Sequence, residues 1–436
     1  MPSHISTEHP NASCSNATSC AIALDPSLPA LVCYPPSNLF YNQEKVAQYR
    51  PGGYHPVCLG DTFKEGRYRV AHKFGWGGFS TVWLARDILL GKWVALKTAT
   101  ADSTSSSREV STLQSLQQHG TSDYVPQLLD YFTHIGPNGV HQCLVSEFLG
   151  PSVDTVVADY RTGGDRLEPG TILKISRQLL QAIASVHEAD YGHGDISGAN
   201  IVFTAKKLAH LPEEHLFNVI GAPDSTTLAR VDGRPLCPSL PKQLVQKVGW
   251  DDWIDEDEED IRLLDWGEAF PHGAEPAKLA QPADLRAPEI FFTGRFDYRI
   301  DLWRAGCTIY SLVFAARPFQ YLGNEVVLIA QMINFVEKLP LEWQTTWQAI
   351  QDGSGRNFPT SEATESKLDR QFHEMVSEPE LMPLLPVIQG LMRFLPSTRI
   401  SAAEARAFMV AGQWDNEGHW HARLQGHNAI DTTRGF

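Results

Sequence analysis

No stretch of this 436-residue sequence is apolar for long enough to cross a bilayer as a helix. The start, Met1-Pro2-Ser3-His4, lacks the basic and apolar parts of a secretory leader, so export is not expected. Asn11-Ala12-Ser13 and Asn16-Ala17-Thr18 match the glycosylation pattern but mean nothing without export. The seven cysteines are odd in number and show no metal-type pairing, which fits free thiols in a reducing compartment. Positive charge is scarce: 36 Lys and Arg face 51 Asp and Glu, a net charge of −15. That balance argues against direct nucleic-acid binding and permits a basic partner. No internal repeat is visible. What is present is a globular composition, 42% hydrophobic, in a chain long enough for two lobes.

Residues 1–60 are expected as a mobile N-terminal extension, because Pro, Ser and Asn dominate and periodicity is weak. Regular structure is expected from Gly66-Arg67-Tyr68-Arg69-Val70, a strand. It runs into the glycine-rich turn Gly75-Trp76-Gly77-Gly78-Phe79-Ser80 and a second strand, Val82-Trp83-Leu84-Ala85. Glycines between strands let backbone amides approach phosphate oxygens. The next strand, Trp93-Val94-Ala95-Leu96-Lys97, ends in a lysine positioned to reach phosphates. Glu109, on a helix carrying Val110, Leu113 and Leu116, would hold that lysine. Two further strands, 125–132 and 142–148, lead to Glu147-Phe148-Leu149-Gly150, a connection whose backbone could meet an adenine edge.

A helix is expected where Ile172, Ile175, Leu179, Ile183 and Val186 keep helical spacing. Turn formers then introduce His193-Gly194-Asp195-Ile196-Ser197-Gly198-Ala199-Asn200. A carboxylate with an amide five positions later can orient a hydroxyl, accept its proton and offer an oxygen to Mg²⁺. Periodicity dissolves over residues 204–260, which end in an acidic run: eight of the ten residues 251–260 are Asp or Glu. Such a run is expected to stay solvated and to attract a basic partner. After the strand Ile261-Arg262-Leu263-Leu264 comes Asp265-Trp266-Gly267, with Asp265 as the charged Mg²⁺ ligand and Trp266 packing beneath it. Glu289 and Arg399 are expected to form a structural ion pair, and Asp301 to receive backbone amides from the catalytic loop. The tail, 416–436, holds His419, His421 and His427 without a carboxylate at ligand spacing.

This ordered set is similar to the protein-kinase signature: glycine loop, strand lysine, loop Asp and Asn, Asp-x-Gly, Ala-Pro-Glu. Within that superfamily the chain most resembles the SR-protein kinases, as a divergent, fungal-like member. The resemblance rests on Gly52-Gly53-Tyr54-His55-Pro56-Val57, on Gly60-Asp61, on residues 75–85, and on an insertion between catalytic loop and Asp265. It implies an α+β bilobal kinase fold, with a β-rich N-lobe over 61–149 and a helical C-lobe over 150–415 carrying a spacer at 204–260. It implies ATP and Mg²⁺ as cofactors, Asp195, Lys97 and Glu109 as catalytic residues, and Asn200 and Asp265 as metal ligands. The nucleotide would lie against Phe74, Gly75, Trp76, Gly77, Gly78, Phe79, Val82, Ala95, Lys97, Glu147 and Leu149. The implied substrates are Arg/Ser-rich protein segments of splicing factors, met by a monomer in cytoplasm and nucleus.

The sequence also departs from that pattern. Where protein-serine kinases usually carry a lysine two residues after the catalytic Asp stands Ser197. Where they carry a threonine five residues before Ala-Pro-Glu stands Pro282. Three readings compete: an active serine/threonine kinase; a pseudokinase or scaffold binding ATP weakly; and an aminoglycoside-phosphotransferase-like small-molecule kinase, which shares His-Gly-Asp and Asp-Trp. Ala287-Pro288-Glu289, Asp301 with Trp303, and Arg399 count against the third.

Overall fold

A computed structural model describes residues 30–103, 105–120, 123–250, 252–253, 256–358, 365–414 and 420–422. Alternation of side chains across strands builds the smaller lobe. After β1 (Leu31–Tyr34), strands β2 (Thr62–Phe63), β3 (Tyr68–Gly77), β4 (Ser80–Asp87) and β5 (Lys92–Ala99) pair in sequence order. Helix α1 (Ser105–Gln118) follows, then β6 (Leu128–Gly136) and β7 (Gly139–Glu147), completing an antiparallel sheet ordered β2-β3-β4-β5-β7-β6. Trp83, Ala85, Val94, Leu96, Cys143 and Val145 point to one face, where Val57, Phe63 and Val245 cover them. Leu84, Trp93 and Leu144 point to the other, toward Leu113 and Leu116 of α1. Burial on both faces explains why these strands read as nearly continuous apolar runs. Ala95 and Lys97 share the α1 face, and the register sets Lys97 opposite Val82.

The chain crosses to the larger lobe through β8 (Leu149–Ser152), α2 (Val153–Thr162) and α3 (Pro169–Glu188). Helix α3 opens with Pro169 in its first turn, where a missing N–H costs nothing, and buries Ile172, Ile175, Leu179, Ile183 and Val186 as their spacing requires. Strand β9 (Tyr191–Gly192) and β10 (Ile201–Thr204) flank the catalytic-type loop. Within the insertion come α4 (Glu213–Ile220), β11 (Ser225–Arg230) and β12 (Gln243–Val245). Then β13 (Ile261–Leu263) pairs with β10, and β14 (Phe270–Pro271) with β9. Helices α5 (Pro288–Thr293), α6 (Ile300–Phe314), α7 (Glu325–Met332), α8 (Leu341–Ser354), α9 (Lys367–Met375), α10 (Leu384–Leu391) and α11 (Ala402–Ala411) complete the lobe. A two-stranded pair, β15 (Gly412–Trp414) and β16 (Trp420–Ala422), follows. The architecture is the expected small β-rich lobe on a larger helical one. Helix α6 runs through the core with nearly every residue buried.

Two expectations require correction. Residues 30–60 were expected within a mobile extension. Instead β1 pairs with β11, and β11 with β12, in a separate three-stranded sheet. Its core is Cys33, Leu39, Val46, Tyr49, Tyr54, Leu228, Leu240 and Leu244. Strands of three to six residues, paired across almost two hundred positions, leave no local period to read. The acidic run was expected to stay solvated, yet its described part docks on the larger lobe. Tyr160 donates to Glu256, Thr171 to Asp257 and Thr204 to Glu259, while Gln178 Nε2 donates to Asp260 Oδ1 at 2.8 Å. Lys174 Nζ donates to the Asp257 carbonyl at 2.7 Å. Hydroxyls and amides accommodate several carboxylates at once, which net-charge reasoning misses. Asp251 and Asp255, like His419 and His427 of the tail, lie outside the described residues.

The N-terminal segment is fixed to the glycine-rich strand by a buried pair. Lys73 Nζ donates to Glu44 Oε1 and Oε2 at 2.6 and 2.5 Å, and both side chains are 1% exposed. Tyr49 also donates to Glu44, and Lys73 lies 5.3 Å from the Trp83 ring centre. Removing one member of a buried pair strands the other charge, typically costing about 3–5 kcal/mol, whereas replacing both is often near neutral. Lys73→Met is therefore expected to lower stability by about 3 kcal/mol or more, and Glu44→Met with Lys73→Met to recover most of that. Urea unfolding of Lys73→Met, Glu44→Met and the double variant checks this; a double variant as unstable as the sum of the singles would refute it.

Candidate active site

Strand and helix registers bring the reactive side chains to one cleft between the lobes. Its volume is about 620 Å³, within the range of small-molecule sites. Lys97 enters from β5, Glu109 from α1, and Asp265 from the turn after β13. Lys97 Nζ donates to Glu109 at 2.7 and 2.9 Å and to Asp265 Oδ1 at 3.0 Å. Burial disfavours the lysine charge, but Glu109 and Asp265 outweigh it and hold the ammonium protonated to higher pH than usual. The same ammonium keeps the Asp265 carboxyl below the usual carboxylate range. Asp265 is itself in the left-handed region, φ 62°, so the backbone turns sharply under the side chain.

The loop between β9 and β10 is held from beneath by α6. Asp301 accepts the His193 and Gly194 amides at 2.7 and 2.9 Å. Gly194 has φ 79°, and a Cβ there would meet the Glu268 carbonyl oxygen at 2.7 Å, so no larger residue fits without a backbone shift. Arg304 Nη2 donates to Asp195 Oδ1 at 2.7 Å, and Asn200 Nδ2 donates to Asp195 Oδ2 at 2.8 Å. Burial pushes the Asp195 carboxyl up to about 6, with Arg304 pulling against it. Trp266 is buried, donates to the Leu263 carbonyl at 2.9 Å and packs on His193, as expected of a packing residue. Glu289 and Arg399 form a buried bidentate pair at 2.6 and 2.8 Å.

Asn200 and Asp265 both line the cleft. With Nδ2 committed to Asp195, the Asn200 carbonyl oxygen is the atom left for a cation, and Asp265 is ionised. One carboxylate and one neutral oxygen suit Mg²⁺, which completes its shell with water and phosphate oxygens. Phe74, Gly75, Trp76, Gly77, Val82, Ala95, Glu147 and Leu149 also line the cleft. Gly78 and Phe79 do not. Strands β3 and β4 continue to Gly77 and Ser80, so these two residues form the hairpin turn, with Phe79 56% exposed. Phe79 instead borders a shallower hollow with Arg108, Glu268 and Lys278. Asp195 lies beside the cleft, joined to it through Asn200.

Sequence reasoning missed the insertion's part in this cleft. Residues 246–250 line it, and the Val248 amide donates to the Lys73 carbonyl at 2.9 Å, tying the strap to the glycine-rich strand. Trp250 stacks parallel to Phe74 with ring centres 6.2 Å apart and leans on Phe148. Its φ of 67° is costly for a bulky residue, about 1–3 kcal/mol, and persists only where the surroundings enforce it. The available signal was a tryptophan, followed three residues later by Trp253, leading into the acidic run.

A protein kinase domain model matches residues 68–211. The serine/threonine-protein kinase SKY1 of Saccharomyces cerevisiae is 36% identical over 37% of this chain, covering 23% of that protein. Protein kinase dsk1 of Schizosaccharomyces pombe is 38% identical over 37% of this chain and 31% of its own length. A serine/threonine protein kinase of Aspergillus fumigatus is 28% identical over 83% of this chain and 88% of its own. Over the stretch they share, the chain is similar to these serine/threonine protein kinases, and residues 68–211 match the protein kinase domain. It spans less than a third of the two yeast relatives' length, so activity and substrates are argued separately below.

Trp250 forms part of the wall of this cleft. An aromatic pair contributes about 0.5–1.5 kcal/mol beyond its buried area. Trp250→Ala is expected to weaken ATP binding by roughly 3–10-fold, and Trp250→Phe by less, as read by calorimetric titration. Tighter binding to the alanine variant would mean that the ring obstructs the site.

Proposed function

We propose that this chain is an ATP- and Mg²⁺-dependent kinase that phosphorylates serine or threonine in Arg/Ser-rich protein segments. The observation that carries this reading is the Lys97–Glu109–Asp265 cluster, lying in one cleft with Asn200 and next to Asp195. Lys97 would contact the α and β phosphates while Glu109 keeps it in place. Asn200 and Asp265 would hold Mg²⁺, which when bound neutralises charge on the phosphates. Asp195 would orient the attacking hydroxyl and accept its proton. The buried Glu289–Arg399 pair supports a peptide substrate over a small molecule, since it braces the segment after residue 286 on which a peptide would lie. The Arg/Ser preference rests on likeness to relatives such as SRSF protein kinase 3 of Homo sapiens, 37% identical over 37% of this chain, and on the net charge of −15. The pseudokinase reading retains two observations in its favour, the absence of charge at Ser197 and of a threonine at Pro282.

Purified protein with labelled ATP, Mg²⁺ and an Arg-Ser peptide should transfer label to the peptide, and Asp195→Ala should lose at least about 100-fold of that rate. Transfer by neither protein would favour the scaffold reading. Equal transfer by both would remove Asp195 from its role.

Phosphate on the segment after Asp265 is not expected to control activity. Residues 268–286 contain no Ser, Thr or Tyr, and Gly194 offers no cation to receive a phosphate. The segment is instead pinned by fixed contacts: Gln281 Nε2 donates to the Gly194 carbonyl at 2.6 Å, and the Ala280 amide donates to Glu268 Oε2 at 3.0 Å. Protein treated with a broad phosphatase, and shown by mass spectrometry to carry no phosphate, should keep its turnover within about twofold. A large drop would reveal a phosphate switch elsewhere in the chain.

A further inference from the structure

Ser197 leaves the catalytic loop without the lysine that its neighbours in the superfamily place beside the catalytic carboxylate, yet the partly buried Asp195 is not without a cation. Among the described residues, Arg304 is the cation in ion-pair contact with it, through Nη2 at 2.7 Å. Arg304 comes from α6 beneath the loop, and its side chain is 0% exposed. A second nitrogen, Nε, donates to the Ile196 carbonyl at 2.6 Å, so the planar fork spans the reactive carboxylate and the backbone next to it. The third nitrogen, Nη1, is buried with no hydrogen-bond partner among the described residues. An arginine used only to satisfy the Ile196 carbonyl would be an expensive choice, because a neutral donor would satisfy one carbonyl without burying a charge or orphaning a donor. What the charge adds is an oriented contact to Asp195 Oδ1, leaving Oδ2 toward Asn200 and the cleft.

We infer that Arg304 is a positioning residue that replaces, from below, the cation missing at Ser197, fixing the Asp195 carboxylate in the orientation needed to accept the substrate hydroxyl's proton. This rests on the kinase reading above. Arg304 does not line the nucleotide cleft, so its loss should act on turnover and leave ATP binding alone. Misorientation of a catalytic group by an ångström costs up to about a hundredfold in rate. The inference also predicts interchangeability: a lysine supplied at position 197 should stand in for the arginine at 304.

The test compares wild type, Arg304→Met, Arg304→Lys, and Arg304→Met with Ser197→Lys, using an Arg-Ser peptide. Calorimetric titration with ATP and thermal unfolding are measured alongside. Arg304→Met should lower kcat by about 10–100-fold while the KM for ATP stays within about twofold. Arg304→Lys should retain more of the rate than the methionine variant, and Ser197→Lys should restore at least about tenfold of what Arg304→Met loses. An Arg304→Met protein with wild-type kcat overturns the inference. So does a loss that neither lysine recovers, since Arg304 would then serve only as a brace for the loop. If Arg304→Met does not fold, Arg304→Lys with and without Ser197→Lys decides: a lowered kcat raised by the second lysine supports the inference, and no change on adding it refutes it. A wild-type protein that transfers nothing removes the kinase reading and this inference with it. Wild-type transfer with an indifferent Arg304 removes this inference alone.

Discussion

The geometry of the site depends on one helix turn. Asp301 and Arg304 sit three residues apart on α6, hence on the same side of the helix, and both project into the loop between β9 and β10. Asp301 takes the amides of His193 and Gly194, and Arg304 takes the Ile196 carbonyl and the Asp195 carboxylate. The loop is therefore clamped by opposite charges on either side of its reactive residue. Burial alone would push Asp301 toward its neutral form. Hydrogen bonding from His187 and from the loop amide of His193 holds its carboxyl below the usual range, so the clamp stays charged. A loop with so few regular hydrogen bonds of its own keeps one conformation because a buried, rigid helix supplies its partners.

A second brace acts on the other lobe, and it comes from chain that a kinase core does not need. The sheet formed by β1, β11 and β12 joins the N-terminal segment to the insertion, and the joined unit touches the glycine-rich strand at three places. Glu44 binds Lys73, the Tyr54 hydroxyl donates to the Gly77 carbonyl at 2.6 Å, and Val248 binds the Lys73 carbonyl. A glycine-rich strand has little side-chain packing to hold it, and each glycine adds conformational entropy to be overcome. Three external contacts reduce that freedom before any nucleotide arrives. The two additions thus belong to the nucleotide site physically, though they lie far from it in sequence.

How much of this was legible follows from the range of each interaction. The helix over 169–188 and the lysine-bearing strand were readable because their signals recur every few residues. Lys97, Asp195, Asn200 and Asp265 were singled out by their order in the kinase signature, and the structure brings Lys97, Asn200 and Asp265 to one cleft with Asp195 beside it. Phe79 was assigned to the nucleotide by its place in a motif, and the structure turns it out because the hairpin there closes in two residues. The docking of residues 256–260 was hidden because their partners, Tyr160, Thr171, Gln178 and Thr204, are spread over three other elements. Arg304 was passed over for a related reason. Within an apolar helix a lone arginine reads as an outlier, and only its partner over a hundred positions earlier gives it a purpose.

The departure at Ser197 looks in sequence like a loss, and the Arg304 contact to Asp195 gives a reason why it need not be. A charge required beside a partly buried carboxylate is a requirement on space, met equally by a residue two positions away or by one from another element. Arg304 meets it from inside the protein, where water does not screen it and where the planar fork allows one orientation. A lysine at 197 would reach the same carboxylate from the loop itself, on a flexible stem able to extend further. The inside position favours rigidity, and the loop position favours reach. The same trade recurs in the segment after Asp265, where Gln281 binds the Gly194 carbonyl directly and no phosphate-receiving arginine exists at 194. In both places a fixed internal contact stands where a movable charge would otherwise be. At Asp195 that contact is the harder to withdraw, because Arg304 is fully buried.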